Sequence, residues 1–314
     1  MPNSFDQNTF INLLNITDGN AQPAIDYMAA CVPDHLYKFY SLSDGSIETL
    51  KELDYKKIST LENNSNWFDL PSKQNDPLDM KMAYIDTTKL SQQTAVILSK
   101  AVDEIFNNLC LCSFIDSFPE NLPMWAFYSN NYKGYCIKYR IEKKALFQKV
   151  LYEDNRMPIA SIPSHFVDEA IQSSKLGYET EGLKWYRYIL TVLFSTKHSS
   201  WKAENEYRIW YPADHGYGTN VSNKDLGIVP EDVFLGKDCL NCYKEKIIAI
   251  CQNNLHCRCW NTGISERKYW ITHWYCHPSN SHQSSLHLLF IEIHGFRLIS
   301  FTMKFRRSPI PLVH

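Results

Sequence analysis

Apolar and polar positions recur along the chain with two periods, and the changes of period mark the expected elements. Over residues 1 to about 33, Phe10, Leu13 and Leu14, then Ile25, Met28 and Ala29, repeat at helical spacing. Thr17-Asp18-Gly19-Asn20 interrupts this helical lead-in and Pro33 closes it. His35-Leu36-Tyr37-Lys38-Phe39-Tyr40 then alternates as an aromatic strand. Ser43-Asp44-Gly45-Ser46 predicts a turn into a short helix ending near Lys51, with Ser43 or Asp44 as its cap. A polar loop follows through Asn63-Asn64-Ser65-Asn66 and Gln74-Asn75-Asp76-Pro77-Leu78-Asp79. Its Asn-Asp-Pro signals a capped turn, because proline fixes its own torsion and restricts the residue before it. Val96, Ile97, Ala101, Ile105 and Phe106 predict an amphipathic helix over residues 94–107.

From residue 109 to 141 the pattern is mostly that of strands, at 109–114 and 134–139. Met124-Trp125-Ala126-Phe127-Tyr128 and the residues up to Gly134 form an aromatic-rich short helix and loop between them. A further strand is expected near 149–152 and helices over 164–196, with Trp185, Ile189, Val192 and Leu193 as apolar positions. Residues 197–210 return to strand after a polar break at His198-Ser199-Ser200. A core strand at 232–236 and a helix near 243–251 complete the series. Strands in runs, without strict alternation with helices, predict an α+β fold with a mixed or mainly antiparallel sheet, flanking helices and a single main domain. The expected organisation is a helical lead-in over 1–33, an α+β domain over 34–254 and a tail over 255–314.

The stretch with the most chemistry is Trp201-Lys202-Ala203-Glu204-Asn205-Glu206-Tyr207-Arg208-Ile209-Trp210. In a strand, Glu204, Glu206 and Arg208 line one face, and Asn205, Tyr207 and Ile209 the other. Two carboxylates and a guanidinium are costly to bury unless they pair or meet a polar ligand. Two readings follow: an edge strand with a solvated or cross-paired charged face, or a site.

The 314 residues suffice for a sizeable core, and 44% hydrophobic with 14% aromatic content describes a globular chain. A net charge of −2 gives no global case for nucleic-acid or acidic-membrane binding. No apolar run reaches the length of a membrane span, and Met1-Pro2-Asn3-Ser4-Phe5-Asp6 has neither a basic start nor an apolar stretch. Ten unevenly placed cysteines fit a reducing cytoplasm better than a disulfide scaffold.

Composition changes after about Leu255. Residues 255–314 hold seven of the 11 His, three of the eight Trp, seven Lys and Arg and two acidic residues, Glu266 and Glu292. The tail is therefore +5 and the preceding residues −7. Such a switch fits a basic binding tail, a metal site or a reading-frame shift near the end of the gene. Cys239, Cys242, Cys257, Cys259, His273, Cys276 and His277 are zinc-ligand types, but Cys-x-Cys is not the usual partner half of a zinc ribbon, and no metal site is assigned.

Several blocks coincide in order and spacing: Leu36 to Tyr40, Asn75 to Asp79, Cys112-Ser113-Phe114, Met124 to Tyr128, Lys133-Gly134-Tyr135, Tyr152, and Trp201-x-x-Glu204-x-Glu206-Tyr207-Arg208. Over roughly residues 34–240 they resemble the bacterial DUF2971 family, a domain of unknown function. Leu78 stands where that family usually has Phe, and Gln74 also departs from its pattern. The resemblance implies a defence or toxin-like effector with an unidentified macromolecular target and a protein partner or regulator; the lack of a long apolar run predicts no membrane insertion.

An early aromatic strand, a central strand carrying Ser and a late strand carrying Glu also look like the three-part site of ADP-ribosyltransferases. That likeness implies NAD as cofactor and Glu206 as the carboxylate at the nicotinamide ribose, with Glu204 and Arg208 beside it. Arg208 or Lys38 would contact phosphate, Tyr37 or Trp125 would stack on a ring with Tyr128 nearby, and Ser113 would supply a structural hydroxyl. The alternative is an effector independent of NAD. In it Asp76, Asp79, Glu204, Glu206 and Arg208 form a buried network shaping a ligand or partner pocket, or the carboxylates gather around Mg as in a nuclease.

Overall fold

The computed structural model describes residues 4–16, 20–86, 88, 90–116, 121–159, 161–213, 216–264, 269–274, 285–290 and 299–304. In chain order it runs α1 (Gln7–Ile16), α2 (Gln22–Cys31), β1 (His35–Tyr40), α3 (Glu48–Glu62), β2 (Ser65–Phe68), β3 (Ala83–Ile85), α4 (Gln92–Asn107) and β4 (Leu109–Ile115). Next come α5 (Leu122–Tyr128), β5 (Tyr135–Ile141), β6 (Gln148–Lys149), β7 (Leu151–Glu153), β8 (Met157–Ile159), α6 (Ser161–Leu176), α7 (Glu181–Phe194) and β9 (Thr196–His198). The last are β10 (Glu206–Pro212), β11 (Thr219–Ser222), α8 (Asn223–Leu226), β12 (Ile228–Leu235), α9 (Asn241–Ile250), β13 (Arg258–Ile264), β14 (Tyr269–Trp274), β15 (Ser285–Phe290) and β16 (Ile299–Lys304). The fold is α+β, with a mixed, mainly antiparallel sheet and flanking helices, as the runs of strands predict. Among the described residues no helix is long and apolar enough to cross a membrane.

The contacts divide the chain into two compact units built from interleaved segments. The first comprises Met1–Leu36, Asn66–Asp116 and Ile141–Ile228. Its centre is β10, antiparallel to β4 on one side and to β6 on the other, with Arg208 opposite Ser113 and Gln148. Glu206, Tyr207, Arg208 and Ile209 are all buried, so β10 is not the edge strand with a solvated face that its charges allow. Short parallel pairs, β3 with β8 and β7 with β9, supplement this core.

Helix α7 starts at Thr180, whose hydroxyl accepts the Leu183 amide and satisfies one of the orphan donors of the first turn. It then buries two faces. Ile189 and Val192 pack with Phe10, Leu14, Ala24, Met28 and Leu151, while Leu190 and Phe194 pack with Met80 and Leu111. Each such side chain contributes about 1.5–3 kcal/mol on burial, so α7 fixes the ground on which the short strands around β10 rest.

The second unit comprises Tyr37–Ser65, Ser117–Arg140 and Val229–His314. Its strands run β1–β5–β12–β13, and β14, β15 and β16 continue antiparallel beyond β13. Tyr40 stacks on Tyr135 with centroids 4.8 Å apart, and Trp125 meets Phe39 edge-on at 5.0 Å. Gly134 has a steric reason: a Cβ there would lie 1.8 Å from the Tyr40 carbonyl oxygen.

Three local expectations change. The helix after Ser46 is α3, which runs to Glu62, well past Lys51, and neither Ser43 nor Asp44 caps it. Ser43 and Asp44 instead accept the amides of Gly45 and Ser46, closing the preceding turn, so their local bonding was spent before the helix began. Part of the loop at 63–66 is strand β2. The tail, which shows no period, carries β13 to β16, so backbone pairing rather than polar–apolar alternation defines its strands. Of the apolar stripe expected on α4, Val96 is exposed and so does not join a buried face, while the side chains of Ile97, Ala101, Ile105 and Phe106 fall outside the described residues.

Candidate functional site

The 201–210 stretch does not form one continuous strand. Residues Ser199–Glu204 make a tight 3-10 turn, and Asn205 ends it in the left-handed conformation at φ 46° and ψ 52°. Asparagine tolerates that region because its short side chain bonds locally. Glu204 therefore precedes β10 instead of sharing its face, yet the turn still delivers its carboxylate to the same cluster.

That cluster lies wholly within the first unit. Arg208 donates from Nη1 and Nη2 to Asp79 Oδ1 and Oδ2 at 2.8 and 2.7 Å, a bidentate pair, and from Nε to Glu206 Oε1 at 2.7 Å. Lys197 Nζ meets Glu206 Oε2 at 2.6 Å, Glu204 Oε2 at 2.9 Å and Asp79 Oδ2 at 3.7 Å. Tyr152 adds its hydroxyl, which accepts the Glu206 amide at 3.0 Å. The four charged side chains Arg208, Asp79, Glu206 and Lys197 are 0%, 1%, 2% and 4% exposed, so every charge here depends on its partners.

The titration directions follow from that dependence. Burial alone would raise the Glu206 carboxyl, but Arg208 and Lys197 outweigh it and hold it far below the usual carboxylate range. Burial would likewise lower Lys197 and Arg208, and the surrounding carboxylates reverse the sign for both. Three carboxylates, of Asp79, Glu204 and Glu206, thus meet the two cations Lys197 and Arg208. The half-buried Trp201 ring lies 5.7 Å from Lys197 Nζ.

Asp76 is buried beside this loop in sequence. Its Oδ1 accepts the Leu78 amide at 2.9 Å, which makes the expected capped turn. The turn in turn carries Asp79 to Arg208. Ser113 on β4 lies directly opposite Arg208 on β10, so Ser113, Arg208 and Glu206 share one face of the β4–β10 pair. Tyr37, Lys38, Trp125 and Tyr128 belong to the second unit. There Trp125 is fully buried, between Phe39 and the stacked Tyr132 ring at 5.7 Å.

The carboxylates of Asp79, Glu204 and Glu206 are turned onto Arg208 and Lys197, which does not suit them as a magnesium ligand set. Among the described residues no group of three His, Cys, Asp or Glu is arranged to hold a metal ion. Cys276 and His277, two of the zinc-ligand types, lie outside the described residues, as does the side chain of His273.

Lys197 and Tyr152 complete the network without having been singled out as site residues. Lys197 follows a strongly apolar helix, and an unpaired cation in that position would be expensive; this was the available signal.

Residues 124–209 match the model of a family described as a protein of unknown function, DUF2971. The match covers about a quarter of the chain and includes Trp125, Gly134, Tyr152, Lys197, Glu204, Glu206 and Arg208, while Asp79 and Ser113 lie outside it. No curated protein and no solved structure matches the chain.

Proposed function

We propose that the protein is a cytoplasmic defence or toxin-like effector of the ligand-binding kind, independent of NAD turnover. In this reading the network of Asp79, Arg208, Glu206, Lys197 and Glu204 secures and shapes the recognition site. The observation that carries it is the saturation of Glu206 and Arg208: both are buried, and each is bound by at least two partners of opposite charge. A carboxylate so clamped is a scaffold element, because freeing it for chemistry would strand Arg208 and Lys197. The ligand in this reading is one that brings hydrogen-bond donors to the carboxylates of the network, such as the ribose hydroxyls of a nucleotide.

A second reading is supported by the shared face of Ser113, Arg208 and Glu206. It is an ADP-ribosyltransferase-like enzyme in which NAD binding opens the network and Glu206 holds the ribose hydroxyl. One experiment separates the two. Wild type and Glu206→Gln are incubated with labelled NAD and fractionated lysate, and melting of wild type and Glu204→Gln is followed with NAD, ADP-ribose and cyclic AMP. The binding reading expects no label transfer and no NAD consumption, with a melting shift in wild type that Glu204→Gln loses. Transfer by wild type that Glu206→Gln abolishes would replace it with the transferase reading. No shift with any of the three would remove nucleotides as the ligand class.

A further inference from the structure

The opposite side of β10 carries a second lysine in a very different setting. The half-buried Lys149 on β6 lies across from Tyr207, with its Nζ over the Tyr207 ring, 4.3 Å from the centroid, and Phe5 at 5.8 Å. Its direct hydrogen-bond partners are neutral: Asn205 Oδ1 and, at 3.2 Å, the Tyr207 hydroxyl. The nearby carboxylate is held one residue away. Asn205 Nδ2 donates to Asp116 Oδ2 at 3.0 Å, and the Asp116 amide donates back to the Asn205 carbonyl at 3.1 Å. This clasp orients the left-handed Asn205 so that its oxygen faces the amine and its nitrogen faces the acid.

We infer that Lys149 is a nucleophilic amine that forms an imine with an aldehyde-bearing small molecule. The aromatic rings keep water from solvating the cation, and the residue as a whole is only partly buried. Desolvation lowers the ammonium to about 8, and Asp116 and Cys31 only partly oppose it. Free amine is therefore available near neutral pH, as a lysine paired with carboxylates would not provide.

The step balances without an oxidant or reductant. The Lys149 lone pair attacks the carbonyl carbon, a C–N bond forms, and the carbonyl π electrons move to oxygen, which takes up a proton as nitrogen loses one. The nitrogen lone pair then forms C=N as the C–O bond breaks and water leaves with a second proton. The resulting iminium charge rests on the Tyr207 face and near the Asp116 carboxylate.

The test treats the full chain with benzaldehyde and cyanoborohydride at pH 8 and maps benzylated lysines by peptide mass. Lys149 is expected to react on the order of tenfold faster than the median of the other lysines, with a rate midpoint near pH 8. Lys149→Arg should remove that fast phase, and Asp116→Asn, with an unchanged melting curve, should shift its pH midpoint downward. If Lys149 reacts no faster than the median lysine, or the fast phase persists in Lys149→Arg, the inference is overturned. If either variant fails to fold, the wild-type site map and its pH midpoint still decide.

Discussion

Two lysines meet the same strand from opposite sides, and their fates differ because of what was placed within reach. Lys197 is enclosed with Asp79, Glu204 and Glu206, and its charge is held far more firmly than in water. Lys149 is less buried but finds an amide oxygen and a phenol, and its charge is held less firmly. Burial by itself pushes both ammonium groups down, so the sign is decided by the partners. A buried charge therefore says nothing about reactivity until its neighbours are counted.

The largest expected effect is at the centre of the locked side. Arg208→Met takes the bidentate partner from Asp79 and leaves Asp79, Glu204 and Glu206 to share Lys197 alone, and should cost roughly 3–5 kcal/mol in urea unfolding. A loss below about 1 kcal/mol would mean that the ion pairs are not formed in solution. Lys197→Met should cost a comparable amount, whereas Lys149→Met should be within about 1 kcal/mol of wild type, since methionine keeps the apolar stem and removes a poorly solvated charge. Equal costs for the two lysine variants would break the comparison outright.

The pH dependence sharpens it further. The folded Glu206 carboxyl lies below its unfolded value of about 4.3, so its contribution is present above that value and is lost as pH falls into the acid range. Lys149 has the opposite kind of linkage. Its folded value of about 8 lies below the unfolded value, so between pH 8 and about 10.4 the unfolded chain binds more protons and stability rises with pH. Urea midpoints across that window should rise through the Lys149 step in wild type and lose that component in Lys149→Met.

A more modest loss than that at Arg208 concerns the hinge between the two sides. Asn205→Ala must hold a left-handed backbone and loses the clasp to Asp116, and should cost about 1–2 kcal/mol. Asn205→Gly should recover the backbone part only, while both variants remove the side-chain amide that joins Lys149 to Asp116. Melting curves of the pair would separate the two contributions.

Much of the fold was legible in the sequence, because alternation and helical spacing report burial directly. The aromatic strand at His35–Tyr40, helix α4 and the strand at Leu109–Ile115 fall close to where their patterns put them. The site was legible only by residue type. Glu206 and Arg208 stand out in a strand, but their partners Asp79 and Lys197 are 127 and 9 residues from Glu206, and no local pattern announces such pairing. The break at Asn205 escaped the period-two reading because a single left-handed residue leaves no trace in hydrophobicity. Lys149 escaped because the loosening of its charge depends on rings and an amide brought together only by the fold.

The most direct measurement is competitive amine labelling of the native chain with acetic anhydride across pH 6–11, read lysine by lysine by mass spectrometry. If β10 separates a locked face from a reactive one, Lys149 labels with a midpoint near 8 and Lys197 stays unlabelled until the chain unfolds. Native labelling of both lysines with an ordinary midpoint near 10.4 would contradict the account, since neither the charge network nor the neutral clasp would then exist in solution.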